Sequence, residues 1–465
     1  MKKLLPVSAL ASLILPACAS GPDYRAPGTA SLGVPDAYLS GPSPSASPEE
    51  LAAWWRQFGD RALDAIVEQA LANNLDLAVA ATRLRQAREA LVQTRAGRLP
   101  AIGASAGVSQ DADFDGNDRR TLSLGADASY EADLFGGVRR GIEASRADLE
   151  AAGYDLATVR IAIVGEVVTN YIQARLAQAQ LATARDTLGI ADENLEIAGW
   201  RVRAGLVSSL DSEQARGARA QAAASIPNIE RNFASATYRL AVLTGQAPGA
   251  LTASLSAPRP IPSGPDAIAV GIPAATLRQR PDVRSAERAL AAQTARIGVA
   301  EAALRPGLRI NGNIGSSALG IGGLFDAIAG NLFAGLTQTI FDGGRLRSQV
   351  RGQEAAAEGA LAGYRQSVLT ALEDVENGLV ALRAAQQRQR EFVTALDASN
   401  NQAILARSLY RSGLTDFQTQ LEAERSLLAA RDGLNSSRAE QALAIVQLYR
   451  ALGGGWDQTE TRPAA

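Results

Sequence analysis

Between Leu122 and Leu134, apolar and polar residues alternate without a break. Leu122, Leu124, Ala126, Ala128, Tyr130, Ala132 and Leu134 hold one parity; Ser123, Gly125, Asp127, Ser129, Glu131 and Asp133 hold the other. Period two sustained this far predicts a strand with one apolar and one polar face. Strands of soluble sheets run about 5–6 residues, whereas a tilted strand crossing a bilayer takes about 9–11. After Phe135-Gly136-Gly137 the period changes. Residues 137–203 contain no proline, and Leu156, Val159, Ile163, Val167, Tyr171 and Ala174 step by three or four. That stripe is narrow, as in a coiled coil. A membrane-length strand feeding so long a helix predicts an outer-membrane barrel strand joined to a periplasmic helical shaft. At 1.5 Å per residue the helix would run about 100 Å. Several shorter helices broken at Gly153, Gly165, Gly189 and Gly199 are the alternative, and the absence of proline favours continuity.

The pattern occurs twice. Arg98-Leu99-Pro100 is echoed by Leu304-Arg305-Pro306, Phe135-Gly136-Gly137 by Asp342-Gly343-Gly344, Arg203-Ala204-Gly205-Leu206 by Arg411-Ser412-Gly413-Leu414, and Leu243-Thr244-Gly245 by Leu452-Gly453-Gly454. The separations grow only from about 206 to about 209 residues, which predicts a tandem duplication. The first repeat is placed at 51–247: a helix, a strand hairpin over about 101–134, a long helix over about 137–204 and a return helix over about 208–245. A Pro-rich linker, 248–272, leads to the second repeat at 273–455. There a helix over about 273–303 precedes strands over about 308–341, a long helix over about 344–412 and a return helix over about 416–452. The loop from Asp111 to Arg120 is polar and that from Ser317 to Asn331 is Gly-rich. The last strand is read at Phe333–Phe341 with its parity undecided. Residues 456–465 form a tail.

Composition narrows the chemistry. Lys+Arg (46) and Asp+Glu (48) nearly balance, so no basic face for nucleic acid is implied. There is no His; Met occurs only as Met1, Lys only as Lys2 and Lys3, and Cys only as Cys18. Imidazole bases, Ser-His triads, a P-loop lysine, Schiff-base chemistry and His/Cys metal sites are thereby excluded from the chain after residue 18. No enzyme, cofactor or metal is expected.

The amino terminus reads as residues 1–17 of signal peptide. Lys2 and Lys3 precede a short apolar run, and Leu15-Pro16-Ala17-Cys18 resembles a lipoprotein-processing box. Cys18 is expected to carry lipid; the plainer reading is an ordinary signal peptide with an incidental cysteine. Ala19, in place of Asp, leaves no inner-membrane retention signal. Residues 18–50, rich in Pro, Ser and Gly, are expected to be an extended lipidated tether. Trp54 and Trp55 are expected to pack against the helical body.

An open sheet edge is not tolerated in lipid, and single-chain barrels start at about eight strands. Four strands therefore require two, three or more copies of the chain. Arg280-Pro281-Asp282-Val283-Arg284-Ser285-Ala286-Glu287-Arg288-Ala289-Leu290, Ile297-Gly298-Val299-Ala300 and Arg305-Pro306 resemble the signature of the TolC-like outer-membrane factors. Gly21-Pro22-Asp23-Tyr24, Trp54-Trp55 with Phe58-Gly59-Asp60, and Tyr130-Glu131-Ala132-Asp133-Leu134-Phe135-Gly136 are similar to the OprM/NodT-type lipoprotein subgroup. The resemblance spans nearly the whole chain. It implies an α+β membrane protein: a homotrimer whose twelve-stranded outer-membrane β-barrel continues into a long periplasmic α-helical barrel. It further implies the exit channel of a tripartite pump, with a periplasmic adaptor protein, an inner-membrane RND-type transporter and outer-membrane lipid as partners. Read from the residues alone, the Arg-Pro-Asp segment is a structural helix junction.

The same resemblance places the adaptor-docking tip and the pore closure at the turns after the long helices: Arg203, Gly205, Leu206 and Asp211, and Tyr410, Arg411, Gly413, Leu414 and Glu422. Asp211 and Glu422 are the expected gate acids, Thr419 stands where some relatives carry Asp, and Tyr410 and Arg411 are candidate latches. Gly205 and Gly413 supply left-handed helix stops, and Ser208 or Ser209, and Thr415 or Asp416, cap the next helices. Asp127, Glu131 and Asp133 are expected to line the lumen as a cation-favouring field, unless neighbouring arginines neutralise them. The expected cargo is drugs and other small toxic molecules. Protein or polysaccharide secretion is the alternative within the channel class, and a pore-free envelope scaffold the alternative outside it.

Overall fold

A computed structural model describes residues 20–39, 47–111, 119–265 and 267–457. Cys18, the signal segment, most of the 111–120 loop and residues 458–465 lie outside the described residues. Helices α1 (Pro48–Ala52), α2 (Arg61–Asn73) and α3 (Leu75–Ala96) lead into strands β1 (Ala101–Asp111) and β2 (Arg119–Ala132). The long helix α4 (Gly137–Arg203) and α5 (Ser209–Leu243) follow, then the short α6 (Thr252–Leu255) and α7 (Pro273–Gln279). Helix α8 (Pro281–Ala302), strands β3 (Gly307–Ala318) and β4 (Ala329–Thr337), the long α9 (Arg345–Arg411) and α10 (Phe417–Ala451) complete the chain. Both α4 and α9 are unbroken over 67 residues. No helix among the described residues is long and apolar enough to cross a membrane.

The chain divides into two compact units. The first comprises the described parts of Met1–Gly28, Thr82–Gly153 and Arg284–Gln366; the second, those of Thr29–Ala81, Tyr154–Val283 and Ser367–Ala465.

The first unit holds the sheet, a purely antiparallel meander in the order β1-β2-β3-β4. Beside it α3 and α4 pack through Leu91, Ile142 and Leu149, and α4 and α8 through Ala147, Ala291 and Ala292. Small residues let those two helices approach closely. The start of the amino-terminal segment is held against this unit. Ser20 N–H donates to the Phe135 carbonyl at 3.0 Å. The buried Arg140 guanidinium donates to the Ser20 carbonyl at 3.0 Å and to Asp23 at 2.6 Å. Tyr24 donates to Glu287 at 2.9 Å, and its ring lies under the Arg288 guanidinium. A Cβ on Gly21 would stand 2.4 Å from the Gly298 Cα, so two glycines permit the backbones to touch. A buried arginine needs several acceptors, and the incoming segment supplies them together with Glu143, which accepts at 2.8 Å.

The second unit has the main core. Trp54 is fully buried and stacks on Tyr449 at 5.2 Å, 14° from parallel. Trp55, Phe58, Val167, Tyr171, Leu240, Ile445 and Leu448 surround them. Asp60 caps α2 by accepting from the Ala62 amide, and its second oxygen accepts from the Tyr171 hydroxyl at 2.5 Å. Arg175, 1% exposed, is held by that hydroxyl and by the Leu255 and Ala257 carbonyls. Burial, with the Asp60 hydrogen bond, pushes the Tyr171 phenol up to about 12. In the amino-terminal segment, Tyr38 is buried, and the Leu39 amide donates to Glu376 at 2.7 Å. At the Arg-Pro-Asp junction, Arg280 donates twice to Asp282 (3.0 and 2.6 Å), to Asp374 at 2.9 Å and to the Ala451 carbonyl at 3.1 Å.

Candidate functional site

Register aligns the faces of the four strands. Ile102 opposes Ala128, Val108 opposes Leu122, Tyr130 opposes Ile310, Leu308 opposes Leu336, and Gly312 opposes Leu332. Opposed residues of an antiparallel pair share a face, so one face is apolar from β1 to β4. Its side chains are open: Ile102 is 77% exposed and Leu332 80%. The pairing also decides the parity of the last strand. Leu332, Ala334 and Leu336 join the apolar face, and Asn331, Phe333 and Thr337 the other. The strand occupies Ala329–Thr337, earlier than Phe333–Phe341, because β3 begins at Gly307 and offers nothing beyond Thr337 to pair with. Among the described residues β1 pairs only with β2 and β4 only with β3, so both outer edges are open.

The three acidic residues of the β2 region occupy different settings. Asp127 opposes Gly103 and Asn313, and a Cβ on Gly103 would meet its carboxylate at 3.0 Å; the missing side chain makes room for the charge. Glu131 opposes Arg309 and pairs with it at 3.3 Å. Asp133 lies beyond the strand, and its carboxylate accepts from the Val138 and Arg139 amides at 3.1 and 2.9 Å, in the first turn of α4. Asp342 does the same for α9, accepting from Gly344 and Leu346 at 2.9 and 2.8 Å. Those amides hold the Asp342 carboxyl below its usual range. A carboxylate among the free amides of a helix start is stabilised by both hydrogen bonds and dipole.

The two turns after the long helices are built alike. Gly205 (φ 68°) donates to the Val202 carbonyl and Leu206 to Arg201; Gly413 (φ 73°) donates to Tyr410 and Leu414 to Leu409. Each is a paired helix stop that only glycine adopts without strain. Of the alternative caps, Ser208 accepts from the Leu210 amide at 3.1 Å, and Asp416 from the amide and hydroxyl of Thr419 at 2.8 and 2.6 Å. Leu206 and Leu414 project into the open, 69% and 75% exposed. Tyr410 turns inward instead, onto Phe417 and beneath the Arg201 guanidinium, 4.5 Å from the ring centre. Arg201 also donates to the Tyr410 carbonyl at 3.2 Å. Burial and Asp211 raise the Tyr410 phenol, against the Arg201 charge. Arg411 meets Glu193 at 3.3 Å with both side chains exposed. Arg203 is the last residue of α4. Glu422 accepts from Gln418 at 3.0 Å, while Asp211 sits half-buried in the first turn of α5.

Sequence reasoning missed a polar lock one turn further in. The buried Gln420 donates to Asn194 at 2.9 Å and to Glu424 at 3.0 Å, and Asn194 donates to Glu424 at 2.7 Å. Arg407 closes on Glu424 at 3.5 Å. Asn194, Glu424 and Arg407 border a groove of about 300 Å³ between α4, α5, α9 and α10, whose apolar lining includes Ile190, Leu421 and Leu428. Polar residues interrupting an otherwise small-apolar stripe were the available signal.

A family model described as outer membrane efflux protein matches residues 66–246 and 272–454. The chain is 33% identical to the pyoverdine export outer membrane protein OpmQ of Pseudomonas aeruginosa, over 98% of this chain and 97% of that protein. It is 31% identical to nodulation protein T of Rhizobium leguminosarum bv. trifolii, over 96% of each. Its structure is similar to that of the outer-membrane channel OprN, with a TM-score of 0.85 and 35% identity, covering 95% of this chain and 100% of that one.

Proposed function

The chain belongs to the outer membrane efflux protein family, and from that premise we propose that it is the exit channel of a tripartite efflux pump, a passive conduit for drugs and other small toxic compounds. The observation that carries this reading is the sheet: one face apolar across four strands, and both edges open. Lipid on the apolar face and strands of further copies at the edges satisfy both. Three copies give a twelve-stranded barrel, a homotrimer in the outer membrane, extending into the periplasm. The matched lengths of α3 and α8 (22 residues each), α4 and α9 (67 each) and α5 and α10 (35 each) support a tandem duplication. Acylated Cys18 would add an anchor. Driving energy would come from an RND-type inner-membrane transporter through a periplasmic adaptor that docks at the tips.

The named relatives export pyoverdine or act in nodulation, so cargo is a separate matter from architecture. Susceptibility of a clean deletion strain to a chemically mixed compound panel, with a restored-gene control, tests the assignment. Broad, reversible hypersensitivity is expected. Unchanged susceptibility together with loss of a secreted protein would shift the reading to a larger cargo.

At the tips, Asp211 and Glu422 are the proposed gate acids, with Arg411 as a latch. Tyr410, packed inside the hairpin cluster, acts by holding Arg201 in place. The double variant Asp211→Ala/Glu422→Ala is expected to raise single-channel conductance in planar bilayers, and an unchanged conductance would remove both residues from the gate.

A further inference from the structure

The groove beside the polar lock carries more positive charge than the lock uses. Its ionisable lining is Arg407, Glu424, Arg425 and Arg431. Glu424 is fully engaged: one oxygen accepts from Asn194 at 2.7 Å, the other from Gln420 at 3.0 Å and Arg407 at 3.5 Å. Two guanidiniums are left over. Arg425 and Arg431 make no ion pair and no hydrogen bond among the described residues. Arg431 is also partly withdrawn from water.

The walls around these two charges are apolar. Ile190 comes from α4, Ala218 and Ala222 from α5, and Leu421 and Leu428 from α10. The alanines make the groove, since a longer side chain at either would fill it. All four helices contribute from within one compact unit.

A guanidinium is weakly hydrated, and its planar donors match a carboxylate or sulfonate with two parallel hydrogen bonds. Apolar walls alone would accept any apolar body. Walls that carry two uncompensated cations select a body with an anion at one end and repel a cation. The volume of about 300 Å³ lies at the small end of the range of ligand sites, which bundles commonly form between their helices. One turn of α-helix, about 10 Å across and about 5.4 Å tall, fills about 420 Å³, so a compact organic molecule suits the groove better than a polypeptide segment. We propose that this groove binds a small amphipathic anion, its apolar body against Leu421 and Leu428 and its carboxylate or sulfonate on Arg425 and Arg431. The site uses none of the turn residues assigned to the gate and stands independently of the cargo proposed above.

Titration with anilinonaphthalene sulfonate, an aromatic body bearing one sulfonate, tests the site. The full-length chain is held in nanodiscs of zwitterionic lipid, and the signal of empty discs is subtracted. Saturable binding of one probe per chain is expected. Arg425→Gln/Arg431→Gln should weaken it at least about tenfold through the lost charge-assisted hydrogen bonds. Ala222→Leu fills the groove, leaves every charge in place and should abolish binding. Arg438→Gln, on α10 but outside the groove lining, should leave it unchanged. Naphthylmethylammonium, a similar body of opposite charge, should not bind. The thermal midpoint of each variant is measured alongside. Arg425→Gln alone, at an exposed position, should already weaken binding, and it serves if the double variant is destabilised. Absence of saturable binding above empty discs, as when another polypeptide covers the groove, overturns the proposal. Unchanged affinity in the glutamine variants, or equal binding of the ammonium probe, overturns it as well.

Discussion

Asp416 shows how much one side chain settles at a turn. Its carboxylate takes the amide and hydroxyl of Thr419, and those bonds hold its pKa below the usual carboxylate range. A depressed carboxyl stabilises the fold above its unfolded pKa of about 3.9, and that contribution is lost as pH falls through the folded value. Protection of the Thr419 amide from hydrogen exchange, taken relative to its intrinsic rate at each pH, should therefore fall on acidification below pH 4. In Asp416→Asn, which caps nearly as well without titrating, the acid-side change should disappear. Arg280 is a second case. Arg280→Met removes a buried cation from two carboxylates that remain 37% and 45% exposed. Because water rescues those carboxylates in part, the expected cost is about 2 kcal/mol rather than the ~3–5 of a sealed pair. A lowered thermal midpoint of the detergent-solubilised protein checks it. The Arg280-Pro281-Asp282 spelling is visible in the sequence and its local role at a helix start could be read. Asp374 and the Ala451 carbonyl could not, because they arrive from 94 and 171 residues away.

At the scale of elements, periodicity carries furthest where one period runs long. The period-two stretch at 122–134 lies largely in β2, and the proline-free stretch from Gly137 is the helix α4. It fails where a partner decides. The last strand had no readable parity until β3 assigned it, and residues 20–39 read as a tether on composition although Arg140, Glu287 and Glu376 bind them down. The glycine stops were legible because their φ leaves no other residue comfortable. Gly413→Ala should cost about 1–2 kcal/mol at that turn, since φ is 73°. Exchange of the Leu414 amide should rise at least about fivefold while the β-strand amides stay unchanged.

At the scale of the whole molecule, the charge of the proposed lumen follows from pairing. Glu131 is met by Arg309 and Asp133 is spent on the start of α4, which leaves Asp127 without a cationic partner in the register. Asp127→Asn is therefore expected to abolish most of any cation preference measured as a reversal potential in planar bilayers. Glu131→Gln, by freeing Arg309, should move it towards anions. Equal losses from the two substitutions would count against this assignment. The sequence by itself determined the repeated order of strands, long helices and returns, the glycine stops, the absence of imidazole and thiolate chemistry beyond residue 18, and the family signature. All of these are written in local spacing and residue type. Only the tertiary structure decided the strand registers, the fates of the three acidic residues around β2, the docking of the amino-terminal segment and the buried Asn194–Gln420–Glu424 lock. Each depends on which residue, often more than a hundred positions away, reaches the same few ångströms.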